Sequence, residues 1–119
     1  MPEEKRVTKN MFVEKEDERV PDQAELRVSA KGSKNVNKLS SAILAKIREH
    51  GYAKVRAIGD PSIGKGFRAA VIAVGKLSQL DMDFVVTGAF FDIELADKSH
   101  LQPDDEGIRS GCVINVDPR

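Results

Sequence analysis

A single cysteine, 40% hydrophobic residues and 19 basic against 19 acidic side chains describe a 119-residue chain that makes one small domain with a charged tail. No apolar run approaches the ~18 residues of a membrane span, and Met1 to Arg6 hold no apolar segment of a secretory signal. Cys112 has no partner for an internal disulfide, and Cys112, His50 and His100 are scattered, so the expectation is a cytoplasmic protein with no membrane contact, no metal and no cofactor.

The zero net charge hides a strong segregation. Residues 1–25 carry five Lys/Arg and eight Asp/Glu (−3), residues 26–80 eleven and two (+9), and residues 81–119 three and nine (−6). A basic block followed by an acidic one suggests a positive face with a definite location; the alternative is that the charges spread over all sides and only solvate the domain.

Residues 1–25 show no apolar periodicity and read as a flexible extension, or else as a short helix or an added strand in an oligomer. The domain proper is read over residues 26–119. Leu26 to Ala30 alternates as a first strand, and Gly32-Ser33 ends it. A helix is predicted from about Val36 to His50, with Val36, Leu39, Ile43 and Ile47 as its buried stripe, Asn35 or Ser33 as cap and Gly51 as stop. Tyr52 to Ile58 is a second strand, Ala53, Val55 and Ala57 facing one way and Lys54, Arg56 and Ile58 the other.

Ile58 to Gly75 is the most informative stretch. It reads as a strand end, a glycine-rich turn and then a helix reaching about Leu77, with Ile63, Phe67, Ala70, Val71, Val74 and Leu77 on the buried face and Ala69, Ala70 and Ala73 allowing close approach to a neighbour. Gly59, Gly64 and Gly66 leave room for a ligand near the backbone, and Lys65 and Arg68 add positive charge where helix N–H groups are unpaired. The pattern falls one residue short of a phosphate-binding loop: Gly66 stands where Ser or Thr would hold Mg²⁺, and Pro61 removes a donor. Nucleotide hydrolysis is therefore not expected. The stretch is either an anion site or a plain connection with solvated charges.

Asp83 to Leu95 is strand-like, with Gly88 expected to mark a bend or bulge between two segments. Ala96 to Gly107 is a polar, acidic loop, and Ile108 to Val116 alternates into a last strand with Cys112 in the core. The order β-α-β-α-β-β predicts a two-layer α/β sandwich: a four-stranded mixed sheet with two helices on one face.

Five separated segments resemble the stage V sporulation protein S family: Leu26-Arg27-Val28-Ser29-Ala30-Lys31, Arg56-Ala57-Ile58-Gly59, Ala69-Ala70-Val71-Ile72-Ala73 with Gly75, Ala89-Phe90-Phe91-Asp92-Ile93, and Val116-Asp117-Pro118-Arg119. That family is related to Alba-like nucleic-acid-binding proteins. The resemblance implies a βαβαββ fold, a homodimer or higher oligomer, DNA or RNA binding, and a regulatory role in sporulation or development. The related proteins hold nucleic acid through the loop after the first strand, the start of the second helix and arms from the last hairpin. In this sequence the first offers Lys31 and Lys34, with Lys38 one turn into the helix, and the second offers Gly64, Lys65, Gly66 and Arg68. The hairpin departs from the pattern, since Lys98 and Arg109 are outnumbered by Asp97, Asp104, Asp105 and Glu106. The extension, residues 1–25, has no counterpart in short family members.

Contacts to phosphate with little sequence readout are then expected. The alternative is a non-enzymatic structural or regulatory oligomer acting through protein partners, for which the acidic block and the extension speak. No nucleophile triad or paired carboxylates mark an enzyme, and Asp92 and Glu94 alternate as solvated strand residues do.

Overall fold

The computed structural model describes residues 13–15 (backbone only), 19–28, 35–96 and 98–119. Five strands, β1 (Val13–Lys15), β2 (Glu25–Val28), β3 (Ala53–Ile58), β4 (Phe84–Glu94) and β5 (Ile108–Pro118), form one sheet in the order β1-β4-β5-β3-β2. Two helices, α1 (Val36–His50) and α2 (Asp60–Ser78), complete the expected two-layer βαβαββ architecture. β2 and β3 are parallel, as are β1 and β4, while β5 runs antiparallel between β3 and β4.

Two details of the sheet differ from the sequence reading. The four expected strands are joined by a fifth, because Val13–Lys15 pairs with Asp92–Glu94 at the outer edge of β4. The expected break at Gly88 is absent: β4 is one continuous ladder against β5 from Phe84↔Pro118 to Glu94↔Ile108. Gly88 stays in register opposite Ile114, and a Cβ there would stand 3.4 Å from the Cys112 sulfur, in ordinary contact. No bulge is required to accommodate it.

Local chemistry sets the helix ends. Asn35 Oδ1 accepts from the Lys38 N–H (2.8 Å), capping α1. Gly51, at φ 86°, ends it with its N–H on the Ile47 carbonyl (2.7 Å), a backbone conformation that favours glycine. Leu39, Ile43 and Ile47 are buried as the spacing predicts.

The α2 helix begins earlier and packs differently than expected. It starts at Asp60, directly after Gly59 (φ 88°), so Gly64, Lys65 and Gly66 are helical rather than part of a turn. Pro61 is the reason this is possible: its fixed φ suits the first turn, where its missing N–H costs nothing. The buried face is Ser62, Gly66, Ala69, Ala70, Ala73 and Leu77, whereas Phe67 (54% exposed) and Val71 (48%) point outward. A Cβ on Gly66 would come within 3.1 Å of Val55 Cγ1 and 3.2 Å of Ile114 Cδ1. The helix thus lies too close to the sheet for large residues, and the small stripe wins the buried position.

The core joins Val28, Val55, Ala57, Ile114 and Val116 of the sheet to Leu39, Ile43 and Ile47 of α1 and the small stripe of α2. On the opposite face of the sheet, Phe91 lies across Gly111 and the buried Arg56 guanidinium covers its ring at 4.0 Å. At the other end of the sheet, Asp22 Oδ2 accepts from the Ala24 N–H (2.9 Å) and from the Tyr52 hydroxyl (3.0 Å). Glu25 pairs with Arg19 and Arg27. Residues 22–25 are thereby fastened to the start of β3.

Gly111 has no room for a side chain, because a Cβ would enter the Phe91 ring. Gly111→Ala is expected to displace Phe91 from beneath Arg56 and cost about 1–3 kcal/mol, the range for overpacking, read as a lower urea midpoint with unchanged m-value.

Candidate nucleic-acid interface

Parallel β2 and β3 carry the starts of α1 and α2 to the same end of the sheet. Because β4 is also parallel to β3, the loop from Leu95 to Gly107 emerges at that end too. The Gly59 N–H donates to the Ser110 carbonyl (3.0 Å), joining the start of α2 to the base of the β4–β5 hairpin.

Lys38 is exposed in the first turn of α1; its backbone N–H is taken by the Asn35 cap, so it offers its side chain alone. Lys65 and Arg68 are three residues apart on α2, hence neighbours on the helix surface, the first half-buried and the second exposed. Gly64 is exposed with open space about it. Gly66 faces the sheet, so the close approach it permits is to Val55 and Ile114 rather than to a ligand. Lys31 and Lys34 lie outside the described residues.

Backbone donors at the start of α2 are few. Asp60 occupies the first helical position, where its carboxylate complements the positive end of the helix, and Pro61 follows without an N–H. Any phosphate along this end must therefore be held by side-chain cations rather than cradled by a loop. Among the described residues no group of three or more His, Cys, Asp or Glu is gathered as metal ligands, and no helix is long and apolar enough to cross a membrane.

The family model of stage V sporulation protein S matches residues 24–106, from the residue before β2 through both helices and β4 into the acidic loop. The chain belongs to the stage V sporulation protein S family. Membership associates it with sporulation.

In this stage V sporulation protein S domain the hairpin loop is acidic and emerges at the same end of the sheet as the helix starts. The Leu95 N–H closes the loop on the Gly107 carbonyl (2.7 Å), and Gly107 itself takes φ 78°. Arg109 donates to both carboxylate oxygens of Asp105 (3.0 and 2.8 Å), and Lys98 reaches Glu94 (3.2 Å). Both cations of the hairpin are thus engaged by acids of the hairpin. Asp104 and Glu106 remain exposed.

Sequence reasoning placed Phe67 and Val71 in the core and gave Phe90 no special place; all three are exposed, Phe90 at 74%. For Phe67 and Val71 the signal that could have found them is the run of small residues on α2, which marks a face too close to its neighbour for a phenylalanine.

Hydrogen bonds from Arg109, then from the Gly107 N–H, hold the Asp105 carboxyl at about 2 instead of 3.8. Folding lowers this pKa, so the ionised carboxylate stabilises the loop fully above pH 3.8, and that contribution is lost as pH falls through about 2. A carboxyl-carbon NMR titration is expected to show Asp105 titrating near 2 in the wild type and returning toward 3.8 in Arg109→Ala.

Proposed function

We propose that the chain is a non-enzymatic, dimeric regulatory protein that binds DNA or RNA through phosphate contacts along the starts of its two helices. The observation that supports this best is that the starts of α1 and α2 lie at one end of the sheet, with Lys38 in the first turn of α1 and Lys65 and Arg68 in the first half of α2, all from the +9 segment. Lys31 and Lys34, between β2 and α1 in the sequence, are further candidates for phosphate contact in this reading. Gly64 gives a backbone ribbon room beside Lys65. Gly66 contributes by setting the height of α2 over the sheet.

The acidic hairpin gives the contact a direction. Exposed Asp104 and Glu106 repel a phosphate chain, which leaves the helix layer as the side it approaches. This differs from a basic hairpin arm entering a groove. Few exposed aromatic rings accompany the cations, so stacking on single-stranded bases is a minor contribution. The role in sporulation or development is regulatory in this reading, and it is carried out in the cytoplasm.

A second reading, a regulatory oligomer acting through protein partners, is favoured by one observation: Phe67, Val71 and Phe90 are exposed and apolar.

Fluorescence anisotropy with labelled duplex DNA and single-stranded RNA across a salt series separates the two. With about six phosphate contacts per dimer, log K against log salt should slope near −5 on duplex. Lys38→Ala/Lys65→Ala/Arg68→Ala should abolish most of the binding while leaving circular dichroism unchanged. Absence of wild-type binding at low salt, or affinity indifferent to salt, overturns the nucleic-acid reading and leaves the protein-partner oligomer.

A further inference from the structure

The Leu95 N–H donates to the Gly107 carbonyl and the Arg119 N–H to the Asp83 carbonyl, so odd-numbered positions of β4 spend their backbone groups on β5. Even-numbered positions therefore turn theirs to the outer edge. β1 takes up that edge at Asp92, Ile93 and Glu94 in parallel register. From Phe84 to Phe91 the strand reads Phe-Val-Val-Thr-Gly-Ala-Phe-Phe, with no charge and no proline to blunt its edge.

We propose that β1 continues upstream, residues 5–12 pairing in the same parallel register along β4 to Phe84 and carrying Lys5 and Lys9 to the helix side as further phosphate contacts. Residues 5–12 lie outside the described residues. The phosphate role rests on the nucleic-acid reading above; the pairing does not.

Continuity with an existing ladder selects this segment as the occupant. Val13↔Asp92 fixes the register, so Phe12 falls opposite Phe91 and Lys5 opposite Phe84. Twelve residues precede Val13, eight of them complete the edge, and Pro2 stands beyond those eight. Being tethered to a strand already in place, the segment has a high effective concentration at the edge, which favours it over a strand from another molecule.

Its side chains suit the two faces. Val86 pairs with Val116 in the core, so even positions of β4 face the helices. Opposed residues of paired strands share a face, which puts Val7 beside Val86 and Met11 beside the exposed Phe90, a thioether on a ring. Phe12 falls beside Phe91 on the other face. The charged residues of the segment are Lys5, Arg6 and Lys9, all cationic, between Glu3-Glu4 and Glu14. They give the new outer edge the lysines that Phe84–Phe91 lacks. Lys5 and Lys9 share the helix-facing side with Val7 and Met11. Among the described residues α2 packs on β4 and α1 does not, so these lysines join the flank of the helix that carries Lys65 and Arg68.

Hydrogen exchange followed by NMR tests the pairing on the intact chain. The Val86, Gly88 and Phe90 amides should be protected, and equally so on dilution. In a parallel ladder the residue opposite an odd position of β4 is the one that bonds, so the Thr8 N–H is used and the Val7 N–H points to solvent. Thr8→Pro should abolish the protection of these three amides, and Val7→Pro should leave it in place. Unprotected amides in the wild type overturn the pairing. Protection lost on dilution assigns the edge to another molecule and overturns it as well, and equal effects of the two prolines overturn the register. Fluorescence anisotropy on duplex DNA tests the lysines. Lys5→Gln/Lys9→Gln should make the slope of log K against log salt shallower by about 2, with edge protection unchanged. An unchanged slope overturns their role while the nucleic-acid reading stands; absence of wild-type binding overturns both.

Discussion

The contact between α2 and the sheet sets most of what is distinctive in this molecule. Gly66 and the alanines Ala69, Ala70 and Ala73 bring the helix backbone down onto Val55, Ala57 and Ile114, where there is no space for a larger residue. At that height the dispersion contacts of many small groups replace the burial of a few large ones. The large apolar residues that the same helix carries are displaced to its outer flank. Lys65 and Arg68 are carried on its surface, and α1 is held alongside by Leu39, Ile43 and Ile47. An ordinary amphipathic helix with Phe67 and Val71 turned inward would bury those residues and leave the outer flank polar. The exposed apolar surface follows from the small stripe.

The parallel pairing of β2 with β3 has the corresponding effect on charge. Two strand–helix units placed side by side deliver two helix starts to one end, and each is preceded by a connection from the basic segment. The hairpin comes to the same end because β4 runs with β3. Segments that are far apart in the chain, one at +9 and one at −6, thus become neighbours in space. Arg109 and Lys98 are spent within the hairpin, on Asp105 and Glu94. The hairpin therefore keeps its anionic character, and the positive surface stays confined to the helices.

The parts of this arrangement that were legible in the sequence are those set by local rules. Asn35 and Gly51 bound α1 because a side-chain oxygen and a left-handed glycine satisfy specific backbone groups. Alternation in Ala53, Val55 and Ala57 marks a half-buried strand whatever surrounds it. The start of α2 was misread because three glycines within eight residues resemble a loop, while Pro61 in the first turn is equally a helix signal. The buried face of α2 was misread because periodicity alone favours the stripe with the largest side chains; how close the neighbour stands depends on Val55 and Ile114, which are remote in sequence. The strand at Val13–Lys15 has no local pattern to find, since it exists only where an edge of β4 is available to it. Of the candidate interface, the residue types were legible, but their placement on a helix rather than in a turn depends on where α2 begins.

The two edges of the sheet also differ in length and charge. The β2 edge is four residues long and carries Glu25 and Arg27, with Glu25 paired to both Arg27 and Arg19, a short and charged edge of the kind that resists further pairing. The β4 edge is long and uncharged beyond β1. Arg68 lies several residues along α2 from its start, at about 1.5 Å per residue, and so stands closer to the middle of the helix layer than Lys38 does.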